Sequence, residues 1–330
     1  MPPEKTSNLI DLASEENGGR ALLASDEFFA LKENLLRPGR GEFIPDKYTD
    51  CGKWMDGWET RRRRSEGHDW CIVRLGTPGL IKEINIDTNH FVGNYPTHAS
   101  VDACQVPPFT PIDDITDDKV EWVEILPRSE LQGDSQNLFT INSNNAFNYL
   151  RLNIYPDGGV ARFKVYGHPE ESLGSKKDWF DAAAAENGGK TLACSNMHFG
   201  DMNNLISPGI AIDMSDGWET KRRRSPGHDW VIIKLGAPSE IERIVVDTLH
   251  FKGNFPDSCS IEGCFEPNAN SEIILLDNVA WMEILPKNKL KSHTEHIFNI
   301  ELKNSGLCTH LRLNIFPDGG VSRLRILAAL

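Results

Sequence analysis

No stretch of this 330-residue chain holds eighteen or more consecutive apolar residues, so no membrane-spanning helix is expected. The opening segment, MPPEKTSNLIDLASEENGG, is polar and acidic and has no apolar signal core; secretion is not expected, and a cytoplasmic location is. Positive charge is in deficit. Lys and Arg total 35 against 48 Asp and Glu, a formal net charge of −13, which argues against a general nucleic-acid surface. Cysteine is sparse, and its count of 7 is odd. No CxxC or Cys/His zinc spacing appears, and reduced thiols are the simplest reading. A P-loop, a dinucleotide fingerprint, a GxSxG elbow and an HExxH helix are all missing.

What the chain does have is an internal duplication. Asp56 to Pro96 reads DGWETRRRRSEGHDWCIVRLGTPGLIKEINIDTNHFVGNYP, and Asp216 to Pro256 reads DGWETKRRRSPGHDWVIIKLGAPSEIERIVVDTLHFKGNFP, 26 identities over 41 positions at an offset of 160. The shared residues are largely Asp, Glu, Arg, His and Asn, which are exposed unless partners hold them. Further matches are LRLNIYPDGGVAR (Leu150 to Arg162) with LRLNIFPDGGVSR (Leu311 to Arg323), and WVEILP (from Trp122) with WMEILP (from Trp281). Upstream, Asn17-Gly18-Gly19 matches Asn187-Gly188-Gly189 and Pro38-Gly39 matches Pro208-Gly209 at an offset of 170, so the first half carries ten extra residues within Arg40 to Met55. Two long repeats are two domains rather than a solenoid. The polar stretch GHPEESLGSKKD, Gly167 to Asp178, has linker composition. The expected division is residues 1–168, a linker at 169–174, and residues 175–330. Neither Cys51 nor Cys71 has a counterpart in the second half, which disfavours a cysteine nucleophile if both halves once worked alike.

The local signal is β. Cys71, Val73 and Leu75, and likewise Val231, Ile233 and Leu235, fall on alternate positions, as do Leu150, Leu152 and Ile154, and Ala161, Phe163 and Val165. PDGG between the last two segments reads as a turn that needs glycine at positive φ. Phe28 to Leu36 is the best candidate for a short helix. Short strands broken by Gly/Pro turns predict an all-β protein, two tandem jelly-roll sandwiches. Trp58, Trp70 and Trp122, with Trp218, Trp230 and Trp281, are expected in cores or interfaces.

Three polar clusters occur twice. The first is Asp56, Glu59, Arg62, Arg63, Arg64, His68 and Asp69, with Asp216, Glu219, Arg222, Arg223, Arg224, His228 and Asp229. It precedes a strand and so sits on a loop at one end of the sandwich, where binding groups are commonly displayed. A guanidinium fork suits a carboxylate, and Asp beside His suits proton transfer; a solvated arginine run explains the same residues equally well. The second is DTxHFxGNxP, with Asp87, Thr88, His90, Gly93 and Asn94 matching Asp247, Thr248, His250, Gly253 and Asn254. Asp87 and His90 could ligate a metal, yet Asx turns account for such Asp and Asn residues too. The third is Arg151, Asn153, Asp157 and Arg162, with Arg312, Asn314, Asp318 and Arg323. Arg151 and Asn153 share the polar face of one strand, and Asp157 reads as a turn residue.

At DGWETRRRR…GHDW, DTxHFxGNxP and LRLNIxPDGGVxR the chain closely resembles the allantoicase family, over nearly all of its 330 residues and including the tandem repeat. The His/Asp pattern of dinuclear manganese ureohydrolases is absent. The resemblance implies hydrolysis of allantoate to ureidoglycolate and urea in purine degradation, repeats resembling galactose-binding domains, and a homo-oligomer with no nucleic-acid or membrane partner. Allantoate carries one carboxylate and two ureido groups on a single carbon. One ureido nitrogen would lose a proton while the other ureido group leaves as urea, protonated by an acid, and water would add to the resulting acylimine. That route needs an acid and a base near neutrality and positive charge near the carboxylate. The candidates for proton transfer are His68, Asp69, His90 and Glu59, with His228, Asp229, His250 and Glu219. Arg63, Arg64 and Arg151, with Arg223, Arg224 and Arg312, are the candidates for the carboxylate, and Asn94 and Asn254 for a ureido group. No cofactor is required on these grounds, and a divalent metal stays open. The rival expectation is a non-enzymatic tandem carbohydrate-binding module. Whether one or both halves hold a site is left open by the sequence.

Overall fold

The computed structural model describes residues 9–117, 120–170, 179–269, 272–276, 279–303 and 306–329. The chain divides into two compact units, 1–173 and 174–330. Of the expected linker, residues 171–174 lie outside the described residues.

In the first unit the strands are β1 (Ile10–Asp11), β2 (Arg20–Ala24), β3 (Tyr48–Thr49), β4 (Gly52–Lys53), β5 (Trp58–Glu59), β6 (Asp69–Asp87), β7 (His98–Cys104), β8 (Val123–Glu130), β9 (Gln136–Thr140), β10 (Ala146–Tyr155), β11 (Gly159–Val160) and β12 (Arg162–Pro169). The organising strand is β6, 19 residues long. Its first half pairs with β2 and β10, and β10 continues through β7 to β8; its second half pairs with β12 and β9, and β12 pairs with β1. A single strand therefore runs through both layers of an antiparallel jelly-roll sandwich. The handover falls at Gly76 to Gly79, where the β10 register shifts between Phe147 and Tyr149.

The alternation read from the sequence sets what faces inward. Cys71, Val73, Leu75, Ile84, Ile86, Leu150, Leu152, Ile154, Phe163 and Val165 all lie in one core with Trp58. Each such side chain contributes about 1.5–3 kcal/mol on burial. The opposite face of the first layer carries a smaller cluster of Ile72, Cys104, Ile115 and Tyr149, against which Trp70 and Trp122 pack. Ile115 reaches it from the short helix α1 (Ile112–Thr116).

The second unit repeats the plan with β13 (Trp179–Asp181), β14 (Lys190–Cys194), β15 (Trp218–Glu219), β16 (Asp229–Asp247), β17 (Ser258–Cys264), β18 (Met282–Lys289), β19 (Glu295–Phe298), β20 (Leu307–Phe316), β21 (Gly320–Val321) and β22 (Arg323–Ala329). Its sheet path, β13-β22-β16-β20-β17-β18, mirrors β1-β12-β6-β10-β7-β8.

The expected helix over Phe28 to Leu36 is only a 3-10 turn at Lys32–Leu36. The residues before it are drawn into an extended contact instead: the Phe29 N–H donates to the Glu59 carbonyl, and Ala30 bridges to Glu59. Pairing with a neighbour has overridden weak local helix preference.

Candidate active site

The PDGG turn between β10 and β12 is the hub of the loop end. Gly158 takes φ 141°, a backbone region that side chains rarely adopt. The next residue, Gly159, is glycine for a different reason: a Cβ there would overlap the Phe91 ring. These two glycines let the turn press against the loops that carry the polar clusters. The Gly159 N–H donates to the Asn94 carbonyl at 2.8 Å, and β11 pairs Gly159 with Glu59. The Thr60 N–H donates to the Gly158 carbonyl, the Arg63 N–H to Asp157 Oδ2 at 2.8 Å, and the Asp69 N–H to the Pro156 carbonyl. All three clusters of the first repeat are thereby tied to one turn. The second repeat keeps the ties of Gly320 to Asn254, Thr220 to Gly319 and Gly320 to Glu219, and the Arg223 N–H donates to Asp318 at 2.8 Å.

Around this hub the candidate residues sort into two places. The first is an open cavity of about 320 Å³ lined by Phe29, Phe43, Lys53, Met55, Glu59, His90, Val92, Gly93 and Asn94. Asn94 Nδ2 donates to Glu59 Oε1 at 2.7 Å. Burial pushes the Glu59 carboxyl up from its ordinary value, against a smaller opposing pull from the Asn94 amide; desolvation disfavours the charged form. A carboxyl shifted toward neutrality can give and take protons. His90 sits at φ 66°, its N–H held by Asp134 at 2.8 Å. Its ring tilts against Phe43 at 5.5 Å, and its imidazole nitrogens make no hydrogen bond among the described residues. The Lys53 ammonium lies 4.3 Å from the centre of the Phe43 ring.

The second place is the polar face of β10 and the start of β6. His68 Nε2 lies 3.3 Å from Asn153 Oδ1, and its ring packs on Tyr155 at 4.6 Å. Asn153 donates to Ser100 and to Asp102 Oδ2, the latter at 2.9 Å. The same Asp102 oxygen takes Nε and Nη2 of Arg151, at 3.1 and 2.8 Å, while that guanidinium lies over Trp122. Arg63 pairs with Asp69 at 2.8 Å, and Asp69 also accepts from Ser25. In the second repeat His228 meets Asn314 at 3.2 Å, Arg223 pairs with Asp229 at 2.6 Å, and Arg312 pairs with Glu262 at 2.7 Å.

Glu59, His90 and Asn94 are thus brought together on the cavity. His68, Asp69, Arg63 and Arg151 form a separate network in which both guanidinium groups already hold carboxylates. Arg64 and Arg224 are exposed and have no ion pair among the described residues. In the second repeat Asn254 donates to Glu219 at 2.6 Å. Asp87 and His90 do not act as a pair: both Asp87 oxygens are taken by Arg40, at 2.7 and 2.9 Å. Among the described residues no three His, Cys, Asp or Glu side chains converge as a metal site. Asp56 and Arg162 are a buried structural pair at 2.7 Å.

Sequence reasoning missed Phe43, Lys53 and Met55 of the cavity wall, and Asp102, which holds Arg151. The first three had a signal: they fall within the stretch that contains the ten-residue insertion, which is also where the hairpin β3–β4 forms. Asp102 had none, because its twin is Glu262 and the surrounding strands differ.

Comparison with known proteins follows the same division. A family profile described as the allantoicase repeat matches residues 10–170 and 180–330. A "Probable allantoicase 1" of Burkholderia mallei is 47% identical over 330 residues, covering 99% of this chain and 96% of that protein. A "Probable allantoicase" of Pseudomonas aeruginosa is 51% identical over 319 residues, covering 96% of this chain and 95% of that protein. Among solved structures, the allantoicase of Saccharomyces cerevisiae is 37% identical, with 97% of this chain and 93% of that chain covered and a TM-score of 0.44.

Proposed function

The chain belongs to the allantoicase family, and we propose that it hydrolyses allantoate to ureidoglycolate and urea in the cavity that Glu59, His90 and Asn94 line. It is a hydrolase, and the bond cleaved is the C–N bond between the central carbon and one ureido nitrogen. The observation that carries this reading is the Glu59 carboxyl, shifted upward by burial and bonded to Asn94 at 2.7 Å on the cavity wall.

Glu59, whose proton affinity burial raises, is suited when protonated to give its proton to the departing ureido nitrogen, and His90 to take the proton from the ureido nitrogen that stays. Electrons then move from that nitrogen to the central carbon as the far C–N bond breaks and urea leaves. Water adds to the acylimine carbon, its proton returns to the retained nitrogen, and ureidoglycolate results. Asn94 donates to Glu59 through Nδ2, so its Oδ1 can accept from a ureido N–H. Arg63 with Asp69, and Arg151 with Asp102, are ion pairs of the separate network on β10 and the start of β6 that also holds His68. Arg64 is the arginine of this group whose guanidinium has no carboxylate partner. No step of this route requires a metal or cofactor.

No helix of the described residues is long and apolar enough to cross a membrane. All seven cysteines are free thiols, the state of a reducing compartment, which supports a cytoplasmic enzyme. A homo-oligomer is part of the same reading, and sedimentation velocity tests it. The test of function is urea release from allantoate by the purified chain, wild type against Glu59→Gln and His90→Ala. We expect losses of about 10²–10⁴-fold in kcat for each, the range of a positioned acid or base. Undiminished turnover in both variants sinks the assignment of this cavity.

A further inference from the structure

Resting on that reading, we infer that turnover is confined to the first repeat, because Asn89 and the inserted hairpin keep His90 open to the cavity, whereas the second repeat ties its equivalent histidine to its own backbone.

The two histidines start alike. His90 and His250 follow the same Asp-Thr step and hold the same left-handed backbone, φ 66° and 70°. They differ in what one carbonyl does. In the first repeat the Gly41 carbonyl accepts from Asn89 Nδ2 at 2.7 Å. In the second, the matching carbonyl is that of Ala211, and it meets His250 Nε2 at 2.8 Å. The equivalence of Gly41 and Ala211 is independently marked: the next N–H, of Glu42 or Ile212, donates to Asp56 Oδ2 or Asp216 Oδ2, at 3.0 and 3.1 Å. Residue 89 is Asn and residue 249 is Leu. Leucine has no donor, so in the second repeat the carbonyl is filled by the histidine itself. A carbonyl only accepts, so His250 Nε2 must carry the proton there, which fixes its tautomer. The His250 N–H is held in turn by His293 Nδ1 at 2.9 Å.

The insertion adds a second difference. Between the matched pairs Glu42/Ile212 and Asp56/Asp216 the first repeat has 13 residues and the second has 3, Asp213 to Ser215. The longer segment supplies Phe43, which packs on His90, and Lys53, the cavity's ammonium group. An ammonium at that wall is placed for the carboxylate of the substrate. The short segment of the second repeat instead brings the Met214 sulfur to 3.8 Å from the Asn254 amide, and it contains Asp213 and no basic residue. Glu219 and Asn254 keep their mutual bond there, while the neighbouring His250 has its Nε2 taken by the Ala211 carbonyl. The second repeat preserves the frame of the site and holds its histidine on a backbone carbonyl.

The inference is tested with paired variants of the full chain. Urea release from allantoate is measured for Glu59→Gln against Glu219→Gln, and for His90→Ala against His250→Ala. We expect at least a 100-fold loss in the first of each pair and less than a twofold change in the second. Asn89→Leu installs the second repeat's residue. It should let His90 turn to the vacated Gly41 carbonyl and lower kcat at least tenfold with little change in KM, while Asn89→Gln restores part of the rate. Comparable losses from both repeats overturn the inference. A readout without turnover separates this from the functional reading: ¹⁵N NMR of the histidine rings with ureidoacetate, which carries one carboxylate and one ureido group. Perturbation of His90 and not of His250 supports the inference even if allantoate is not cleaved, a result that would sink the function alone. Perturbation of both rings, of His250 alone, or of neither, overturns it.

Discussion

Glu59 on β5 and Asn94 lie 2.7 Å apart, carboxyl to amide, and are 35 residues apart in the chain. The bond holds the carboxyl in position, while burial raises its proton affinity above the ordinary value of 4.5. A raised carboxyl favours the folded state when neutral. That contribution is complete below the unfolded value and fades as pH rises through the folded one. Glu59→Gln keeps an acceptor for Asn94 and never ionises. The variant should therefore melt at a higher temperature than wild type at pH 8 and at nearly the same temperature at pH 4, while losing activity. Equal melting offsets at both pH values, by scanning calorimetry, would contradict the raised proton affinity. Stability gained with activity lost is a common trade at strained sites.

Arg162 and Asp56 form a pair at 2.7 Å with side-chain exposures of 3% and 7%. Removing one member of a buried pair costs about 3–5 kcal/mol where the other is left uncompensated, but Asp56 also pairs with Arg37 at 3.4 Å. Arg162→Ala should lower the stability of the first unit by at most that amount in urea titration. The twin pair, Arg323 with Asp216, has an aspartate 30% exposed, so Arg323→Ala should cost less. The opposite ranking would show that exposure does not set the penalty here.

Gly159 and Gly320 abut the rings of Phe91 and Phe251. Gly159→Ala forces a methyl group into the ring and should destabilise by about 1–3 kcal/mol, the usual cost of overpacking. Because the Gly159 N–H also holds the Asn94 carbonyl, activity should fall further than the stability loss explains. Gly320→Ala should match the stability loss and leave the rate near wild type. Parallel denaturation and urea-release assays read both effects.

His310 is fully buried, next to Thr309, and burial drives its imidazole down from 6.5 to about 4, with Lys234 adding to the shift. The folded form keeps it neutral. A depressed value gives stability that is complete above the unfolded value and lost as pH falls toward the folded one. The second unit should lose stability between pH 6.5 and pH 4. The matching residue of the first repeat is Tyr149, in the same register on β10, so His310→Tyr should flatten that limb. An unchanged acid limb would assign it to carboxylates instead.

Much of this was legible in the sequence. Alternation placed Cys71, Val73, Leu75, Leu150, Leu152 and Ile154 on the core side, because a strand's period of two maps spacing directly onto a face. PDGG was legible as a turn because glycine tolerates backbone that other residues avoid. The candidate residues were legible as a set but not as two groups. Arg63 and Arg151 read as candidates for the substrate carboxylate, yet Asp69 and Asp102 hold them. Asp69 is six residues from Arg63, but Asp102 is 49 residues from Arg151, and pairing at that range is set by β7 lying against β10.

The sequence by itself determined the duplication, the strands that make each sandwich, the glycine turn and the kinds of group available for chemistry, since these follow from local spacing and backbone preference. Only the tertiary structure decided which copy of each group is free to act. His90 and His250 sit in similar strings, and what separates them is whether a carbonyl brought from upstream, 48 residues before Asn89 in one repeat and 39 before His250 in the other, is already satisfied by a neighbouring amide. A buried acceptor takes the nearest donor, and which donor is nearest is a property of the fold.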